Sequence, residues 1–181
     1  MHIPFRRRTI TTTTPLTPKD LIIARLANVR RWLDTVLRRL TPELLEWSPS
    51  PGMRTIAGQL VEIIAVEAPL VPYLKTGYLL TEAEVDGIVG DSHNLNHLLH
   101  VLTEVRQSTL DYLNSLTGPE LSEIVPSGHP WFGTLWLPAM PRAEHFLNIA
   151  EHEYYHVGQL ISYLWCKGEE WEPSWFQLTA S

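Results

Sequence analysis

Apolar side chains recur every three to four residues over most of this chain, and short runs of proline, glycine and small polar residues interrupt them. Leu21, Ile22, Ala24, Leu26, Val29, Leu33, Val36, Leu37 and Leu40 form one such stripe, the pattern of an amphipathic helix. Thr17 suits its N-cap, Pro18 its first position and Asp20 its first turn; Thr41-Pro42 ends it. Trp47 to Gly52 is a loop by composition. A second helix is predicted from Thr55 to Lys75, with Gly77 as its stop. Pro69 and Pro72 fall inside it and predict a kink or an early end. Thr81 and Glu84 have capping-box spacing and predict a short helix. Ser92 is read as the cap of a third long helix, through Leu116. The fourth is predicted from Pro138 or Pro141 to Lys167, closed by Gly168.

Four long amphipathic helices without a convincing strand pattern predict an all-α fold, a four-helix bundle. The expected organisation is an N-terminal arm over 1–16, the bundle over 17–168 and a tail over 169–181 packing on the bundle. The arm carries Arg6-Arg7-Arg8 and the threonine run Thr11 to Thr14. Thr117 to Pro138 is a long third connection, with room for a turn of strand or helix around Trp131 to Trp136. Its stretch from Pro126 to Pro138 is a candidate pocket lid. The tail segment Trp171 to Phe176 is too apolar to stand in solvent and is expected to dock.

Composition narrows the function classes. A chain of 181 residues is long enough for one sizeable core. The net charge of −6 and the pI near 5.7 argue against nucleic acid as partner. Cys166 is the single cysteine, so no intrachain disulfide can form, which fits a reducing compartment. No stretch of about 18 apolar residues exists, and the N-terminus has no secretory apolar region. The expectation is a cytoplasmic protein with no membrane span.

The fourth helix carries the candidate chemistry. His152 and His156 are four residues apart, on one face and about one turn from each other. Two such imidazoles can share one divalent metal, as bundle proteins build their metal sites. The stripe also contains His145, Ile149, Gln159, Leu160 and Tyr163, a mixture suited to a cavity wall. His145 lies about 10.5 Å of helix rise from His152, so it is read as an outer pocket group with Gln159 and Tyr163. A third ligand must come from another helix. Glu62 is the candidate, because Leu60, Val61, Ile63 and Ile64 surround it and a buried carboxylate needs a partner. The competing reading puts Glu62 on the solvent side with Gln59 and Glu67. His93, His97 and His100 are read as a solvated helix start, with His97 or His100 as candidates for the pocket mouth.

His152 to His156 also spells His-Glu-x-x-His, the string of zinc metalloproteases. That reading requires Glu153 as a base beside metal-bound water. No Gly-x-x-His extension follows His156, and Glu153 points about 100° from His152. A metallohydrolase is therefore a remote alternative.

Three segments together resemble the DinB-like (YfiT-like) family of metal-dependent four-helix bundles. They are Trp47-Ser48-Pro49, Thr55 to Val61, and the His-x-x-x-His-x-Gly-Gln-Leu-like ending from His152 to Leu160. The resemblance spans roughly Pro18 to Gly168. It implies a metal held by three histidines, one from the second helix and two from the fourth. The later two carry over to His152 and His156. The first carries over to Glu62, where this chain departs from the pattern, leaving either a two-His, one-carboxylate site for zinc, nickel or iron or a degenerate one. Where the family has arginine after the last histidine, Val157 stands. Several branches are thiol transferases, so the resemblance also implies a bacillithiol- or mycothiol-type thiol and a small electrophile as partners. A non-catalytic ligand-binding or dimerisation bundle is the alternative. A homodimer is the default expectation.

Overall fold

Thr17 opens the first helix as its sequence predicts. Its hydroxyl accepts from the Asp20 amide while the Asp20 carboxylate accepts from the Thr17 amide, and this box starts α1 (Pro18–Leu37). The structure is a computed structural model, described here over residues 16–127 and 139–169. After a short 3-10 turn at Pro42–Leu44, Thr55 caps α2 (Ile56–Glu67) by accepting from the Gly58 amide. The expected break falls at Ala68-Pro69, and α3 (Leu70–Thr76) follows, ending at Gly77 with φ 72°. Thr81 and Glu84 cap α4 (Glu82–Val89) with the predicted box.

The third long helix, α5 (Leu95–Ser115), starts later than expected. Its cap is Asn94, whose side chain accepts from the His97 amide, and Ser92 sits in the preceding turn. The predicted third connection carries more regular structure than its composition suggests. Thr117 and Glu120 form another capping box and start α6 (Gly118–Ser122). Strands β1 (Ile124–Pro126) and β2 (Ala139–Pro141) pair antiparallel, with Val125 opposite Met140. This small ribbon is the departure from a purely helical fold. The last helix, α7 (Arg142–Lys167), ends at Gly168 with φ 94°. The lid reading, the Trp131 to Trp136 turn, the arm and the docked tail fall almost wholly outside the described residues.

The long helices α1, α2, α5 and α7 form the bundle. Helix α1 runs along α7, and α2 packs against both α5 and α7. Leu26 and Leu33 of α1, Leu60 and Ile64 of α2, Leu98 and Leu113 of α5, and Phe146 and Leu160 of α7 meet in the core with no exposed surface. Burying each such side chain stabilises the fold by about 1.5–3 kcal/mol before entropy is counted. The stretch Ile56–Thr76 is long and apolar enough by composition to cross a membrane, contrary to the expectation from the sequence. Most of it is buried inside the bundle, and its helix breaks at Pro69, so it serves here as a core element.

The core also holds four charges, one from each long helix. Arg106 of α5 grips Glu67 of α2 through Nε at 2.7 Å and Nη2 at 3.0 Å, and its Nη2 also donates to Glu153 of α7. Arg30 of α1 faces both carboxylates, at 3.4 Å from Glu67 and 3.0 Å from Glu153. Spare donors of the two guanidiniums go to the backbone carbonyls of Leu26 and Leu102. Two positive and two negative charges close the ring, so the interior carries no net charge there.

Candidate metal centre

Helix α7 presents His152 and His156 toward α2. Their Nε2 atoms lie 3.1 Å apart, with the ring planes at 69°. His156 is 1% exposed and His152 is half-buried. The tautomer of His156 follows from its neighbour. Nδ1 of His156 meets Oε1 of Gln59, which only accepts, so Nδ1 carries the proton and Nε2 keeps its lone pair. His152 then donates from its own Nε2 to that lone pair. Gln59 is held in turn, because its Nε2 donates to the Tyr163 hydroxyl at 3.0 Å. Tyr163 packs edge-on against Trp47. The loop before α2, α2 itself and α7 thus share one chain of contacts that ends on the imidazole pair.

Both imidazoles are held neutral. Burial is the main cause and pushes each pKa down to about 4. Smaller parts of the same lowering come from Arg54 on His152 and from His152 and Arg54 on His156, while Glu67 on His152 and Gln159 on His156 act the other way. Neutral imidazole is the form that binds metal.

The fit to a metal can be tested on these distances. Two nitrogens bonded to one tetrahedral ion at ~2.1 Å lie about 3.4 Å apart, close to the 3.1 Å between the two Nε2 atoms. The His156 tautomer is also right, since its outer nitrogen is tied to an acceptor, as metal-bound histidines require, whereas His152 has to shift its Nε2 proton to Nδ1 before that nitrogen can bind. The pair therefore fits a metal. Among the described residues, however, no three side chains of the His, Cys, Asp and Glu types are already placed to hold one. Glu62 instead pairs with Arg54 at 3.0 Å. It is 16% exposed, so it is neither a solvent-side group nor deeply buried. Gln59 and Glu67, its companions in the competing reading, are both 2% exposed and point elsewhere, Gln59 to His156 and Glu67 to Arg106.

The remaining expected site residues divide. Tyr163 reaches the pair through Gln59. Gln159 lies near enough to His156 to favour its charged form, without hydrogen-bond geometry, and its buried Oε1 has no hydrogen-bond partner among the described residues. His145 is fully buried farther along α7. Its ring is tilted against Tyr73, and burial lowers its pKa, partly offset by the nearby Val125 backbone. It packs where the ribbon meets the bundle rather than beside the pair. His97 binds the Val89 carbonyl, while His93 and His100 pair with Glu46 and Glu104 in exposed positions. None of the three belongs to the centre.

Glu153 is where the protease string fails. It is 1% exposed and engaged by Arg30 and Arg106, on the side of α7 that closes the ionic ring. Burial raises its pKa against the pull of the two arginines. A carboxylate so held does not serve as a base for water on the imidazole pair. The residue that reading of the sequence undervalued is Gln59.

Comparison with solved structures gives the same architecture. TT2238, a four-helix bundle protein, superposes with a TM-score of 0.58 at 21% identity, covering 80% of this chain and 98% of TT2238. The colibactin self-resistance protein ClbS, solved in complex with a dsDNA, gives 0.59 at 16% identity, covering 80% of this chain and 94% of ClbS. At these identities the likeness concerns the fold. No curated protein matches the sequence. The family model of the DinB superfamily matches residues 25–160, which include α2 and α5 whole, most of α1 and α7, and the imidazole pair. The chain belongs to the DinB superfamily.

Proposed function

We propose that the protein binds one divalent transition metal (zinc, nickel or iron) through His152, His156 and Glu62. We further propose that it transfers a low-molecular-weight thiol of the bacillithiol or mycothiol type to a small electrophile. The observation that carries the metal reading is the convergence of the two Nε2 atoms at 3.1 Å, with the His156 tautomer set by Gln59. A bound metal with an open position would supply Lewis acidity that lowers the pKa of a thiol. The chain's own part is to keep both imidazoles neutral by burial, to orient His156 through Gln59, and to line the approach with Gln159 and Tyr163. The reading places the protein in the cytoplasm as a homodimer.

The dsDNA belongs to the ClbS structure. With a net charge of −6, this chain is better suited to small molecules. A non-catalytic bundle with a degenerate metal site is the second reading, favoured by the Arg54–Glu62 pairing.

Protein purified without chelator and reloaded with zinc or nickel is expected to hold close to one equivalent. The variant His152→Ala is expected to hold less than a tenth. Less than a tenth of an equivalent in the unaltered protein would end the metal reading. A filled site without turnover of a bacillithiol-type donor would leave a metal-binding protein and remove the transferase. Light scattering decides the dimer.

A further inference from the structure

We propose that Arg54 is a placeholder counter-ion for Glu62, and that a divalent cation arriving between His152 and His156 takes the carboxylate over from it. The inference rests on the metal reading above and adds the means by which this chain's departure from three histidines is accommodated.

Arg54 stands just before the cap of α2, and its Nη2 lies 3.0 Å from Glu62 Oε2. The same guanidinium acts on both imidazoles. Glu62 is three residues beyond Gln59, so the two are neighbours on the surface of α2, and Gln59 already touches His156. One cation thus sits beside both halves of an incomplete ligand set. Its hold on Glu62 is loose, because the guanidinium is 51% exposed, and ion pairs of that exposure contribute little. A divalent ion offers the carboxylate twice the charge and direct coordination. With Arg54 in place, Glu62 stays compensated while no metal is bound. Once the metal takes the carboxylate, the guanidinium turns to solvent.

Zinc affinity measured by competition with a chromophoric chelator, at fixed ionic strength, tests the exchange. Arg54→Gln is expected to tighten zinc binding about tenfold or more. Glu62→Gln is expected to weaken it by a similar factor. In the Glu62→Gln background, adding Arg54→Gln should gain no more than about threefold, the share due to charge alone. Arg54 is half-exposed, and circular dichroism checks that each variant keeps its helices. Equal gains in both backgrounds, or weaker binding by Arg54→Gln, would overturn the exchange while leaving the imidazole pair as a metal site. Failure of both the unaltered protein and Arg54→Gln to take zinc would overturn the metal reading, and the exchange with it.

Discussion

Keeping two imidazoles uncharged inside a bundle makes stability depend on pH. Their folded pKa values near 4 lie below the ordinary value of 6.5. Between those limits the unfolded chain binds more protons than the folded one, so stability rises with pH across that window. This contribution is complete above about pH 6.5 and is lost as the pH falls toward 4. After allowance for partial exposure and coupling, we expect the metal-free protein to lose roughly 2–4 kcal/mol over that range on this account. Urea unfolding at several pH values measures it. A His152→Leu/His156→Leu variant should show a clearly shallower slope; an unchanged slope would refute the assignment. Gln59 gives a second test. Gln59→Leu removes the acceptor for His156 Nδ1–H and should weaken metal binding by about 10–100-fold with the ligands intact. Unaltered affinity would show that Gln59 does not orient the ring. The pair was legible in the sequence because helical geometry alone joins residues four apart. Gln59 was not, since a glutamine in an apolar helix looks the same whether it meets water or an imidazole on a helix 97 positions away.

At the scale of elements, local chemistry was readable wherever it was complete within a few residues. Thr17 with Asp20 and Thr81 with Glu84 are reciprocal boxes, and each starts its helix where expected. Thr117 with Glu120 has the same spacing, but the surrounding prolines and glycines hid it. Ser92 and Asn94 are both good caps, and spacing alone could not choose between them. The turn in which Asp91 accepts from the His93 amide places Asn94 at the helix start. Asn94→Ala should therefore cost about 1 kcal/mol in denaturant unfolding, and Ser92→Ala only a few tenths. The opposite order would return the cap to Ser92. The β1–β2 ribbon escaped notice because three-residue strands give no alternation long enough to read.

At the scale of the whole molecule, the ring of Arg30, Glu67, Arg106 and Glu153 joins four helices at one level of the core. No local pattern announces it, because its members come from four separate helices. Removing one member leaves a charge buried without its partner, and Glu153→Ala should cost about 3–5 kcal/mol. Replacing Arg106 and Glu153 together by methionine leaves Arg30 and Glu67 to compensate each other and should cost much less. Equal losses in the two variants, compared by thermal and denaturant unfolding, would show that packing rather than charge dominates. The ring also bears on which bundle forms. Leucine and isoleucine tolerate many near-equivalent packings of the same helices. Turning α7 by a single residue swings Glu153 through about 100° and leaves two guanidiniums to share the one carboxylate of Glu67. Collapsed chains that bury the right oil but dock a helix in the wrong rotation are thereby rejected, and the folding search is narrowed to the one arrangement in which His152 and His156 face Gln59.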